Sequence, residues 1–353
     1  MTKFVNHNFS MLKKLCFFTT VLLVLSCKKE RESDEYIQAI QNIENKLLTI
    51  STYEGSGQVV HPDVLWDEGK KQFWLAITPY PDYQDQFENP CLYHSVDGMN
   101  FSDSGISNPL APAPVQGFNC DPDVFLDRDG SKKMIYVETR TPDFQIIHIL
   151  SFHPISIQSF TKDTLLIHEF DATDPKTEFI LSPSVVVEPL NYHIYYVNLL
   201  RPAAEPNEIK MAASRQLNNL QVQDFVKLNV PMPENYNPWH LDVFKTSGKY
   251  VMLLNGFYGG KYDNNGGSLT GEYSIQLLTS SNGIDWKNHG DIIGKGNPEA
   301  EAIIPDPHFR YVYRSSGLYS QKLKKLVVWY SYVTTANVWK MGVHKFDLDL
   351  EKM

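Results

Sequence analysis

Four short segments of this chain repeat one pattern, a polar residue, usually Pro, a second polar residue and Val: His61-Pro62-Asp63-Val64, Asp121-Pro122-Asp123-Val124, Ser182-Pro183-Ser184-Val185 and His240-Leu241-Asp242-Val243. They recur about every 60 residues, and such a period signals repeated supersecondary units. Each is followed, across a turn, by an aromatic-rich strand: Phe73-Trp74-Leu75-Ala76-Ile77, Ile135-Tyr136-Val137, Ile194-Tyr195-Tyr196-Val197 and Tyr250-Val251-Met252-Leu253-Leu254. A fifth copy, Arg314-Ser315-Ser316-Gly317-Leu318-Tyr319 before Leu326-Val327-Val328-Trp329-Tyr330, follows a longer connection. Five repeats of three to four strands predict an all-β fold, a five-bladed β-propeller, in which repetition around a channel protects the sheet edges. A two-sheet sandwich does not account for the phasing.

The first 54 residues break the pattern. Lys13-Lys14 precede a largely apolar run from Leu15 to Leu25 and then Ser26-Cys27, the order of a secretory signal. The run is too short to span a bilayer, which takes about 20 residues. Leu23-Val24-Leu25-Ser26-Cys27 resembles a bacterial lipobox, which implies a lipid on Cys27 and a protein anchored to the membrane, not spanning it. The expected plan is a lipoprotein signal peptide over 1–26, the lipidated Cys, a polar tether and a short helix over 27–54, and the propeller over 55–353. Ile37, Ile40, Ile43 and Leu47 carry the helical spacing. The expected location is the bacterial cell envelope, periplasmic or surface-exposed.

The formal charge of −9 becomes more negative once Lys3, Lys13 and Lys14 leave with the signal. Nucleic-acid binding depends on basic side chains displacing counterions from phosphates, so an acidic body excludes nucleic acid as the main partner. Cys91 and Cys120 remain in the exported part; they allow one disulfide or two buried thiols, and are too few for a zinc site. The chain has no Gly-x-Ser-x-Gly elbow, no phosphate-binding Gly-Lys-Ser/Thr loop and no His-Glu-x-x-His. Phe257-Tyr258-Gly259-Gly260 and Asn264-Asn265-Gly266-Gly267 read as a surface loop over the channel. Ser95-Val96-Asp97-Gly98 and Ser280-Ser281-Asn282-Gly283 read as structural hairpins.

His61-Pro62-Asp63, Thr78-Pro79-Tyr80-Pro81, Glu88-Asn89-Pro90, Asp121-Pro122-Asp123, Ser182-Pro183-Ser184, Trp239-His240-Leu241-Asp242 and Tyr313-Arg314-Ser315 form a series of phrases. In that order, over residues 55 to 350, the chain resembles the five-bladed propellers of the glycoside hydrolase family 43 and 32 superfamily, family 43-like proteins above all. The resemblance implies glycoside hydrolysis with an Asp base in blade one, a second Asp in blade three and a Glu acid in blade four. This chain has His61, Ser182 and His240 at those motif starts.

In a propeller the motif starts meet on one rim: His61, Asp121, Ser182, His240 and Arg314. Period-two alternation adds Asp63, Asp123, Ser184, Asp242 and Ser316 two residues on. Ends of neighbouring strands add Glu138, Arg140 and Arg201, and the start of the third strand in blade one adds Glu88 and Asn89. Tyr80, Trp239, Phe257 and Tyr258 offer rings for sugar faces. Glycoside hydrolysis needs one carboxyl to protonate the leaving oxygen and another to attack or to activate water. Asp63 and Asp121 are the expected base or nucleophile, and Glu138 or Asp242 the acid. Substrate contacts are expected from His61, Tyr80, Glu88, Asn89, Asp123, Arg140, Ser182, Arg201, Trp239, His240 and Arg314. The Asp two residues after each motif start has a competing role, since an acceptor there can satisfy backbone N–H groups of the next blade. No metal or cofactor is assigned, a structural calcium in the channel being the one allowance. The partner is a carbohydrate. The alternative to hydrolysis is a surface propeller that binds glycans without cleaving them.

Overall fold

The structure is a computed structural model that describes residues 32–140, 144–153, 158–169, 177–199, 206–218, 220–259, 272–294 and 298–353. Asp34–Met353 form one compact unit. Cys27 and its leader, Arg201 and Asn264–Gly267 lie outside the described residues.

From Asp34 onward the chain opens with helix α1 (Asp34–Asn42), whose buried side is Tyr36, Ile37, Ala39 and Ile40. Leu47, at helical spacing from Ile43, falls instead in strand β1 (Lys46–Leu48). Blade one follows, with β2 (Val59–Asp67), β3 (Gln72–Pro79) and β4 (Cys91–Ser95). Blade two is β5 (Phe118–Leu126), β6 (Lys132–Arg140), β7 (Phe144–Phe152) and β8 (Phe160–Glu169). Blade three is β9 (Ile180–Val187), β10 (Tyr192–Asn198), β11 (Glu208–Ser214) and β12 (Val226–Lys227). Blade four is β13 (Tyr236–Thr246), β14 (Lys249–Tyr258), β15 (Glu272–Ser280) and β16 (Trp286–Gly294). Blade five is β17 (Phe309–Ser320), β18 (Lys325–Thr334) and β19 (Trp339–Asp347), and its fourth strand is β1, paired antiparallel to β19. The propeller therefore takes in part of the segment that sequence placed ahead of residue 55.

The middle strands explain the aromatic runs. β3, β6, β10, β14 and β18 are buried on both faces, because each sheet packs against a blade on either side. Trp74, Ala76 and Leu92 of blade one meet Met134, Tyr136 and Leu150 of blade two. Phe73, Leu75 and Tyr93 meet Val327, Trp329 and Met341 of blade five, and Ile40 of α1 and Ile43 just after it join the same cluster. Each buried Leu, Ile, Val, Phe or Met among them contributes about 1.5–3 kcal/mol. The two hairpins dock in matching ways: Trp329 Nε1 donates to Gly98 O, and Tyr195 Oη donates to Gly283 O.

A ring of hydrogen bonds joins the blades at the channel. Asp63 Oδ2 accepts from Val124 N at 2.5 Å, and Asp123 Oδ2 from Val185 N at 3.1 Å. Ser184 Oγ accepts from Val243 N at 3.0 Å, Asp242 Oδ2 from Gly317 N at 3.1 Å, and Ser316 Oγ from Val64 N at 2.9 Å. In every blade the residue two past the motif start thus receives a backbone N–H of the next blade, and the fifth joint returns to the first. A buried N–H without an acceptor costs about 1–3 kcal/mol, so each joint has a definite energetic role.

Candidate functional site

Just ahead of each joint the inner strand carries a register shift: between Val60 and Asp63 in β2, Cys120 and Asp123 in β5, Leu181 and Ser184 in β9, Pro238 and His240 in β13, and Val312 and Ser315 in β17. In the first three blades the motif start also takes a left-handed backbone, with φ of 55° at His61, 51° at Asp121 and 48° at Ser182. Non-glycine residues rarely adopt this region, and a bulge of this kind re-aims a side chain. Five such bulges bring His61, Asp121, Ser182, His240 and Arg314 together, which no single blade could do.

Asp121 is the hub. Its Oδ1 lies 3.5 Å from His61 Nε2, 3.4 Å from His240 Nδ1, 3.2 Å from Ser182 Oγ and 3.1 Å from Arg314 Nη1, and its Oδ2 accepts from Ser182 N at 3.1 Å. Burial alone would raise its pKa, but His61, His240 and Arg314 outweigh it and hold the carboxyl well below the usual range. Burial pulls His240 down despite Asp121, which leaves the 0% exposed Arg314 as the permanent cation beside the hub.

Glu88, from the loop between β3 and β4, reaches His61 from the other side, its Oε1 3.2 Å from Nδ1, and Thr78 Oγ1 lies 2.8 Å from the same nitrogen. Burial pushes Glu88 up to about 7, against the opposing pull of His61. Two carboxyl groups with opposite displacements therefore flank one imidazole. His240 Nδ1 meets Ser182 Oγ at 2.5 Å, while Nε2 is buried without a hydrogen-bond partner. Ser182 and Asp121 both approach the same nitrogen of His240, so the three do not form a nucleophile–base–carboxylate relay, which uses both ring nitrogens.

The donor set fits a divalent cation. His61, Asp121 and His240 each offer a ligand atom, all within 4.8 Å of one another. His61 is held through Nδ1 by Thr78 and Glu88 with Nε2 toward Asp121, as metal-binding histidines commonly are held through their second nitrogen, whereas the His240 nitrogen nearest Asp121 is the Nδ1 that also meets Ser182. Asp63, Asp123 and Asp242 lie equally close together below. Their oxygens accept across the joints between blades. Burial raises all three, Asp242 to about 7, with carboxylate neighbours adding to the shift at Asp123 and Asp242.

The remaining residues named from sequence divide in two. Tyr313, beside the site, packs on His240 with centroids 4.4 Å apart and on His61 at 5.6 Å, and its hydroxyl accepts from Trp239 Nε1 at 3.1 Å. Tyr80 bonds Asp85, and its ring lies 6.0 Å from that of Trp339. Elsewhere, Asn89 ties Tyr53 to Asn119. Phe257 is buried beside Trp239 and Tyr273, and Tyr258 bonds Asp291. Glu138 pairs with Arg140, His148 and Lys162 on the face of blade two, and Arg140 and His148 hold its carboxyl down against the effect of burial. Among the described residues, Glu138's side-chain partners are these three and not the channel groups. Thr78 and Tyr313 stand in the family-like phrases but carry no expected role at the site. Tyr313 had one signal: it precedes the motif start of blade five, as Trp239 does in blade four. Cys91 and Cys120 are free, buried thiols.

No family model matches the chain, and no curated protein sequence matches it. Solved structures do. An N-acetylgalactosamine deacetylase from F. plautii, in complex with blood group B trisaccharide, superposes with a TM-score of 0.65 at 18% identity, covering 86% of this chain and 95% of that one. A thermostable family-43 glycoside hydrolase gives 0.56 at 14% identity, covering 82% and 89%. The family-43 endo-arabinanase of Bacillus licheniformis gives 0.55 at 13%, covering 84% and 96%. At these identities the likeness establishes the five-bladed propeller fold shared with such enzymes.

Proposed function

We propose that this protein is a carbohydrate-active hydrolase that removes an acyl substituent, such as an N-acetyl group, from an oligosaccharide by metal-assisted hydrolysis at the channel mouth. One observation carries the reading: His61 and His240, at two of the motif starts where family 43 enzymes place catalytic acids, stand with the ionised Asp121 of blade two as a three-ligand set. A divalent cation there would polarise the acyl carbonyl and acidify a bound water. Glu88, with its pKa about 7, can take a proton from water and return it to the leaving group near neutral pH. Tyr313 and Trp239 wall the site with an apolar face and a polar tip, suited to a sugar. The deacetylase among the structural neighbours favours the same chemistry.

A second reading is supported by the opposite displacements of Glu88 and Asp121. Such a separation marks an acid and a base, as in glycoside cleavage without metal. The test is to incubate protein, chelator-treated or reloaded with zinc, manganese or calcium, with N-acetylated oligosaccharides and arabino-oligosaccharides. Acetate release that disappears with chelator and in His240→Ala supports the first reading. New reducing ends that persist in chelator move the assignment to the second. Tight binding without either product leaves a glycan-binding protein. From the leader we also place the protein in the cell envelope, lipid-anchored at Cys27. Lipid labelling that survives Cys27→Ala would overturn that placement.

A further inference from the structure

An exposed ring in the loop after β3 has no part in the site described above. Pro81–Tyr83 form a single 3-10 turn in which two successive non-glycine residues are left-handed, with φ of 51° at Asp82 and 60° at Tyr83. Such a pair is strained and persists only when its surroundings over-determine it. The result is a tyrosine left 39% exposed. Tyr80 packs against the Tyr83 ring edge-on at 5.8 Å and 74°, and Trp339 at 5.5 Å and 65°. The Tyr83 hydroxyl points to Asn337 Oδ1 at 3.5 Å, and that oxygen accepts from Arg310 Nη1 at 2.7 Å. Asn337 is itself left-handed, with φ of 61°, and both it and Arg310 are exposed. Blades one and five thus jointly hold one aromatic ring in T-shaped contacts, beside an amide and a guanidinium at the surface.

The ring is continuous with the reactive centre. Trp339 packs on Tyr313 at 5.1 Å, and Tyr313 on His240 at 4.4 Å. From these positions we infer that Tyr83 is the platform of an outlying sugar subsite, where a hydroxyl-rich ring stacks on the tyrosine and hydrogen-bonds Asn337 and Arg310. The ligand is accordingly an extended oligosaccharide lying along the seam between blades one and five, with its reacting unit at His61 and Asp121. This inference rests on the carbohydrate reading and adds a length requirement to it. Tyr suits the role, because its face is apolar and its rim polar.

The experiment is calorimetric titration of the intact protein with a disaccharide, a trisaccharide and a hexasaccharide from the N-acetylated and arabinan series, comparing wild type, Tyr83→Ala and Tyr83→Trp. Wild type should bind the hexasaccharide more tightly than the shorter ligands. Tyr83→Ala should weaken the hexasaccharide roughly tenfold, the scale of one lost aromatic contact, and leave the disaccharide unchanged. Tyr83→Trp should retain the length dependence. Tyr83→Ala binding every ligand as wild type does would overturn the subsite while leaving the carbohydrate reading intact. Equal loss at all lengths, with a lowered melting temperature, would make Tyr83 a structural residue and also overturn it. No binding of any oligosaccharide by wild type would remove both.

Discussion

Asp63 is the residue at which sequence and structure pull hardest in different directions, and its substitution tests the architecture of the channel. Both carboxylate oxygens are used: Oδ2 accepts from Val124 N at 2.5 Å and Oδ1 from Ser316 Oγ at 3.0 Å. Asp63→Ala leaves both donors buried, and at about 1–3 kcal/mol for each unmet group the loss is roughly 2–6 kcal/mol. Asp63→Asn keeps one carbonyl acceptor and turns an NH2 toward the other donor, so it should lose roughly half as much. Part of that loss is offset, because removing the carboxyl relieves its repulsion of Asp123 and Asp242. Urea unfolding followed by tryptophan fluorescence measures both variants, with turnover compared per folded molecule. Lower stability with turnover retained within a few-fold is the expected result. An Asp63→Asn protein as stable as wild type yet inactive would refute the reasoning and return Asp63 to the chemistry.

Asp242 gives a pH dependence. An acid raised on folding binds more protons folded than unfolded between its two pKa values, so stability should fall as pH rises from about 4 to about 7. Melting temperatures across that range should show this fall, and Asp242→Asn should flatten it; an unchanged profile in the variant would exclude Asp242 as a source. At Gly283, with φ of +77°, a Cβ would lie 2.4 Å from Tyr195 Oη. Gly283→Ala should therefore cost more stability in chemical denaturation than Tyr195→Phe, which loses only one hydrogen bond, and the reverse order would disprove the steric account. Burial raises the thiols of Cys91 and Cys120 well above their ordinary pKa. Peptide mapping should find both unalkylated in native protein and both alkylated after unfolding without reductant; a bridged peptide would contradict the free thiols.

The repeat of polar starts and aromatic strands determined the blade number and the identity of the inner and middle strands, because a propeller needs the same buried pattern in every blade. It also named the groups that meet on the channel, since His61, Asp121, Ser182, His240 and Arg314 occupy equivalent positions. What the sequence left open was which carboxylates are joints. Asp63, Asp123 and Asp242 look like acids along the chain, and only the packing of neighbouring blades spends their oxygens on Val124, Val185 and Gly317. Glu138 is near the right height of its strand, yet its face turns it to His148 and Arg140. The bulges, the two-sided clasp of His61 by Glu88 and Asp121, and the ring path from His240 to Tyr83 join residues far apart in sequence. Such contacts depend on how five separately formed sheets close around one axis, and a local pattern encodes the sheets but not the closure.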